Sequence, residues 1–130
     1  MHRRMLLMAA ALAGFTQIEG ASAAEIAPYT EQAFAAAQAA GKPILVHIEA
    51  SWCPICAKQR PILGQLEEEP AYKSLVVLNV DFDTQKDIVR AMGANKQSTL
   101  IVFHGKDERG RSVGDSQAAS IQSLVAKSLT

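Results

Sequence analysis

The sequence predicts an α/β domain built on a mixed four-stranded sheet with helices on both faces, and three observations carry that expectation. Two near-continuous apolar runs, residues 44–48 and 75–80, have the character of strands buried on both faces. Each is followed by a stretch of helical periodicity that closes at a Pro or a Gly. Residues 99–103 and 111–113 flank a short Gly- and charge-rich turn, which reads as an antiparallel hairpin. With 130 residues, 48% hydrophobic and 20% charged, the chain has the composition of a globular protein and material for one core.

Taken in order, the Ala-rich stretch 33–40 reads as a helix, with Thr30 as N-cap, Phe34 and Ala37 at helical spacing, and Gly41 before Lys42-Pro43 as the stop. The strand at 44–48 is interrupted only by His47. From Cys53 to about Glu69, Ile55, Ile62, Leu63 and Leu66 favour a helix that Pro61 should kink, and Pro70 closes it. The strand at 75–80 leads to a helix from Thr84 to Met92, where Thr84 and Asp87 resemble a capping box and Gly93 is the stop. After the hairpin, Ile121, Leu124, Val125 and Leu129 form the apolar face of a last helix.

Residues 1–23 are set apart from this pattern. Arg3 and Arg4 precede an apolar run over residues 5–15, and Ala21-Ser22-Ala23 follows, the layout of a secretory signal peptide cleaved near Ala23. The run is shorter than the about 20 residues that span a bilayer. The expected organisation is a signal peptide over 1–23 and one domain over 24–130, exported to an oxidising compartment, which in a bacterium is the periplasm. The 13 basic and 13 acidic residues balance, and aromatics are only 5%, so nucleic acid finds neither an electrostatic footprint nor stacking platforms.

Cys53 and Cys56 are the only two cysteines, and they form a C-x-x-C pair after a strand and at the start of a helix. Unpaired amides and the helix dipole at that position stabilise a thiolate, which makes Cys53 the nucleophile. Cys56, one turn on, lies on the same face and is placed to resolve a mixed disulfide. A zinc site would need more ligands, with only His47 and His104 as further imidazoles in the exported part, and an inert disulfide would close a loop too small to constrain the chain. No cofactor and no metal site is expected.

The stretch Pro43-Ile44-Leu45-Val46-His47-Ile48-Glu49-Ala50-Ser51-Trp52-Cys53-Pro54-Ile55-Cys56, with Pro61 five residues later, resembles the thioredoxin superfamily, including the thioredoxin-like C-terminal domain of membrane thiol-reductant relay proteins. Residues 77–81 are similar to the family's second central strand and residues 98–103 to the next, with Gly114 before the last helix. The resemblance implies a thioredoxin-like fold, a redox-active Cys53–Cys56 disulfide, and Trp52 flanking the site; Trp52 reads equally as a core residue.

Three positions depart from the family's pattern. Pro54-Ile55 stands where typical thioredoxins have Gly-Pro, which leaves the potential open between about −270 mV for a reductant and about −120 mV for a strong oxidant. His47 takes the place of a buried acid that assists the resolving cysteine; an imidazole serves that role, or is simply a hydrogen-bonded strand residue, and Glu49 shares its face. Ser98, before Thr99, replaces a cis-proline facing the cysteines. A non-proline cis bond costs about 2.5–4 kcal/mol, so the Gln97–Ser98 bond is expected to be trans and the loop to take a different path. Ser98 then either bonds a sulfur or is a plain turn residue.

The reading that follows is a monomeric exported thiol–disulfide oxidoreductase acting on protein thiols and disulfides, slightly more a reductant than an oxidant, with a membrane electron-relay partner. The alternative is a thioredoxin-fold module holding Cu(I) through the two thiolates. Among lesser features, Glu67-Glu68-Glu69 reads as a solvated helix end, Lys58 and Arg60 as surface charges or a positive field near Cys53, and His104 as a surface residue.

Overall fold

The structure, a computed structural model, describes residues 23–130 together with Gly14, so most of the expected signal segment lies outside the described residues. In chain order the elements are β1 (Glu25–Pro28), α1 (Glu31–Ala39), β2 (Pro43–Glu49), α2 (Pro54–Glu67), β3 (Val76–Asp81), α3 (Lys86–Ala91), β4 (Thr99–His104), β5 (Asp107–Val113) and α4 (Ala118–Ala126), with 3-10 turns at Pro70–Tyr72 and Lys127–Leu129. The sheet has five strands in the order β1-β3-β2-β4-β5, not the four expected. The strand missed is β1, which pairs parallel with β3 at the sheet edge. Its four residues are too few for a period, Ile26 is 52% exposed, and Pro28 is tolerated because an edge strand needs few donors.

β2 is the central strand, parallel to β3 on one side and antiparallel to β4 on the other. Every residue from Pro43 to Ile48 is buried, as a strand covered on both faces requires. Alternation divides its side chains between two layers. Ile44, Val46 and Ile48 pack with Val76, Leu78, Val80, Ala37, Ile88 and Val89 on the side of α1 and α3. Leu45 packs with Leu63, Leu66, Ile121, Leu124 and Val125 on the side of α2 and α4. His47 and Glu49 share the parity of Leu45, so they face α2, and register places His47 between Asn79 of β3 and Leu100 of β4.

The helix ends show where local chemistry agreed with the pattern and where it did not. Thr30 caps α1, its hydroxyl accepting the Ala33 N–H at 3.0 Å, and Phe34 packs against Tyr29 and Phe103. α2 runs through Pro61 to Glu67. Thr84 caps nothing: the Asp81 carboxylate accepts the N–H groups of Asp83 and Thr84, holding a turn that delays α3 until Lys86. Leu129 is 40% exposed rather than on the apolar face, because the chain tightens into a 3-10 turn after α4. Ser128 takes the buried place instead, its hydroxyl donating to the Val125 carbonyl and its own carbonyl bonding His104 Nδ1 at 2.9 Å. The β4–β5 turn rests on Gly105, whose φ is +58° and whose Cβ position would lie 3.3 Å from the Gly41 Cα.

Because Leu45 is fully buried at the centre of the sheet, Leu45→Ala is expected to lower stability by about 3 kcal/mol through a cavity that β-sheet neighbours cannot close. Urea unfolding should show a lower midpoint at unchanged slope.

Candidate active site

Cys53 is the N-cap of α2, in extended conformation, and its Sγ accepts the Cys56 N–H at 3.1 Å. Pro54 fills the first helical position, where its missing donor costs nothing. A sulfur placed on a helix N-terminal amide is held by a bond that strengthens as it becomes anionic. The pair is free and sheltered, Cys53 being 2% and Cys56 0% exposed. Burial pushes the Cys56 thiol above its ordinary value, and the hydrogen bond with Cys53 adds to this. Backbone hydrogen bonds at Ala50 and Ser98 pull the other way. Cys56 therefore stays a thiol at neutral pH.

Around the pair, Trp52 stands 56% exposed, its indole N–H donating to the Asp83 carboxylate at 2.8 Å and its ring edge-on to Phe82. Of the two readings of Trp52, the surface one describes its position. Ile55 is also exposed and lies beside Gly114, whose φ of +73° demands glycine. Trp52, Ile55 and Val113 make an apolar rim at the end of α2 where the cysteines sit.

Beneath the pair lies a buried hydrogen-bond network that runs through Gln59, a residue the sequence reading passed over. Gln59 is fully buried, and its amide donates to the carbonyls of Ser98 at 3.1 Å and Asp115 at 2.9 Å. Both amide hydrogens being committed, its oxygen must face His47, and it accepts from His47 Nε2 at 2.9 Å. The imidazole therefore carries its proton on Nε2. Its Nδ1 faces the Glu49 carboxylate at 3.4 Å, and that carboxylate also takes the Arg60 Nε at 3.2 Å. With its one proton on Nε2 the neutral ring has none to give Glu49, so its side-chain hydrogen bond is the one to Gln59, and among the described residues no hydrogen bond joins His47 to either cysteine. Burial lowers the His47 pKa, opposed by Glu49 and Gln59 and helped by Arg60, so the ring is neutral at neutral pH.

Ser98 sits opposite. Among the described residues no peptide bond is cis, and Ser98 adopts φ +56°, the one non-glycine residue there with positive φ. An L-residue in that region gives up about 1–2 kcal/mol, which its surroundings must offset. Its hydroxyl is turned to the Gln97 carbonyl at 2.6 Å, which is the plain turn arrangement rather than a bond to sulfur. Its carbonyl accepts from Gly114 N–H as well as from Gln59. Thr99, buried next to it, donates to the Lys96 carbonyl.

The remaining candidates fall outside the site. Arg60 is bound to Glu49 and the Ala50 carbonyl, and Lys58 is exposed. Glu67 closes α2, its pKa raised by partial burial and by Glu68. Among the described residues no three His, Cys, Asp or Glu side chains gather to hold a metal, so the dithiol would offer a soft ion two sulfurs without a third such donor.

A fold of this topology carrying a C-x-x-C pair at the start of the helix after the central strand defines a class, and comparison with known proteins agrees. The family model described as Thioredoxin matches residues 25–127, and the chain belongs to that family. It is 30% identical over 100 residues to a thioredoxin of Bacillus subtilis, covering 77% of this chain and 94% of that protein. It is 31% identical over 88 residues to a "Bifunctional thioredoxin reductase/thioredoxin" of Mycobacterium leprae, covering 68% of this chain and 19% of that protein, so the likeness is confined to one part of it. Among solved structures, Trxlp from Edwardsiella tarda superposes with a TM-score of 0.76 at 38% identity, covering 78% of this chain and 98% of that one. The chain is a thiol–disulfide oxidoreductase of the thioredoxin type.

The neutral, buried imidazole sets a pH dependence. With the folded His47 pKa below 6.5, the unfolded chain binds a proton that the folded chain refuses, so its contribution is complete above about pH 6.5 and declines as pH falls below it. His47→Asn should be less stable at pH 7 by about 1–3 kcal/mol, since it leaves the Gln59 oxygen short of a partner, yet flatter between pH 7 and 5. Urea titrations at several pH values check this, and parallel slopes would remove His47 as the source.

Proposed function

We propose that this chain is an exported, monomeric reductant of protein disulfides, with Cys53 attacking and Cys56 resolving. The observation that carries it is the asymmetry of the pair: the Cys53 sulfur sits on the Cys56 N–H at the start of α2, while burial keeps Cys56 a thiol. The Cys53 thiolate forms a bond to one sulfur of the substrate disulfide, and the other leaves as a thiolate that takes up a proton. Cys56 then loses its proton and attacks Cys53 Sγ. That step closes the Cys53–Cys56 disulfide and releases the second substrate thiolate, so two electrons pass to the substrate.

Export rests on residues 1–23, with their basic start, apolar run and Ala21-Ser22-Ala23. In a bacterial cell the destination is the periplasm. Among the described residues no helix is long and apolar enough to cross a membrane. An exported domain is beyond the reach of cytosolic reducing enzymes, so its dithiol is regenerated by a membrane protein that relays electrons to Cys53–Cys56. Protein substrates meet the rim of Trp52, Pro54, Ile55 and Val113, with Ser98 and Thr99 on the facing loop.

Cys53→Ser is expected to abolish turnover of a protein disulfide and Cys56→Ser to accumulate mixed disulfides detectable by mass spectrometry; full activity in either variant would sink the scheme. Equilibration with dithiothreitol or glutathione buffers should give a potential near or below about −270 mV, whereas about −120 mV would reverse the direction.

A further inference from the structure

The segment leading into β4 lies beside the cysteines without a regular hydrogen-bond ladder of its own, since residues 94–98 belong to no helix or strand. Its last residue, Ser98, has a φ that serine rarely adopts. Two local bonds tie the segment to itself, Ser98 Oγ to Gln97 O and Thr99 Oγ1 to Lys96 O. One backbone bond, Gly114 N–H to Ser98 O, ties it to the chain after β5. Among the described residues the hydrogen bond that ties it to the helix carrying Cys56 is that of Gln59, and the same amide reaches Asp115 O. Gln59 lies one turn after Cys56 on α2, so its bond to the Ser98 carbonyl sets the segment beside the turn that carries the resolving cysteine.

We propose that Gln59 is a positioning residue whose buried amide pins the left-handed Ser98 segment against α2, and so fixes the wall that a protein disulfide meets on its way to Cys53. The geometry is specific to a primary amide. Two donors aimed at two carbonyls and one acceptor aimed at the His47 N–H exhaust its capacity, and neither a carboxylate nor a thioether has that set. His47 fixes the amide in this orientation, because its neutral Nε2–H needs an acceptor and thereby turns the NH2 toward the loop. The proposal rests on the thiol–disulfide reading and adds to it a residue that governs access of large substrates rather than the sulfur chemistry.

The test compares the native protein with Gln59→Met, a substitution of similar volume lacking both donors. Two rates are read: reduction of insulin disulfides with dithiothreitol as electron source, and alkylation of Cys53 by iodoacetamide, a reagent small enough to pass a displaced loop. In Gln59→Met, kcat/KM for insulin should fall about tenfold, mainly through KM and by several-fold more than alkylation does. Adding Ser98→Gly, which takes positive φ without help, should restore part of the loss. No loss, an equal loss in both assays, or no rescue overturns the proposal. Should Gln59→Met not fold, NMR of the native protein decides: the Gln59 side-chain amide protons should be protected from solvent exchange, and rapid exchange overturns it. Absence of insulin reduction by the native protein would instead overturn the thiol–disulfide reading itself.

Discussion

The buried amide of Gln59 is the interaction on which the arrangement of the site depends. It joins β2 through His47, α2 through its own backbone, the entry to β4 through Ser98, and the entry to α4 through Asp115. A fully buried polar group left without partners costs about 1–3 kcal/mol, so each of these segments is held to the position that satisfies it. Exchanging the amide's oxygen and nitrogen would set two carbonyls against an oxygen, which no adjustment of the side chain repairs. The tautomer of His47, the path of the Ser98 loop and the placement of Asp115 are therefore one arrangement with one solution.

The two cysteines differ because one helix terminus treats them differently. Cys53 precedes the first turn of α2 and receives an amide donor, whereas Cys56 is inside that turn, fully buried, and spends its own N–H on Cys53. The first sulfur has a helix N-terminal amide donating to it, while burial and the bond to Cys53 resist negative charge on the second. The order of events in disulfide exchange follows from that difference alone: a thiolate attacks first, and the second thiol acts only after losing a proton. The fold contributes the difference by ending β2 at Glu49 and starting α2 at Pro54, which leaves Cys53 as the single cap between strand and helix.

Much of this was legible in the sequence, and the exceptions share a cause. The central strands, the hairpin, the Thr30 cap and the cysteine pair showed themselves through apolar runs, turn residues and spacing, all of which act over a few neighbours. β1 did not, since four residues at an exposed edge gain their order from pairing with β3, a partner about fifty residues away. α3 begins later than Thr84 because the Asp81 side chain competes for the turn's amides, and a cap pattern does not register such a competitor. Gln59 left one trace. Cys56, Leu63 and Leu66 mark the buried stripe of α2, and Gln59 falls on that stripe as a polar residue with no partner in its own helix. Its partners, at positions 47, 98 and 115, become visible only when the sheet brings them together.

The same network accounts for the acid that is absent from the interior. A carboxyl at the position of His47 would put a charge-bearing group at the centre of the sheet, where desolvation is severe. Here the carboxylate stands two residues further along the same face of β2, about 7 Å toward the end of the strand, where Glu49 is 27% exposed and paired with Arg60. The interior position holds an imidazole, which burial keeps neutral and which still presents a donor to Gln59. Charge sits at the rim where water and Arg60 compensate it, and orientation is supplied inside by a neutral ring. Burying a neutral donor costs less than burying a carboxylate, and it gives Gln59 the partner that turns its two N–H groups toward the loop. His47 and Ser98, two of the three departures from the family pattern, are thus joined through Gln59 as parts of one structural arrangement.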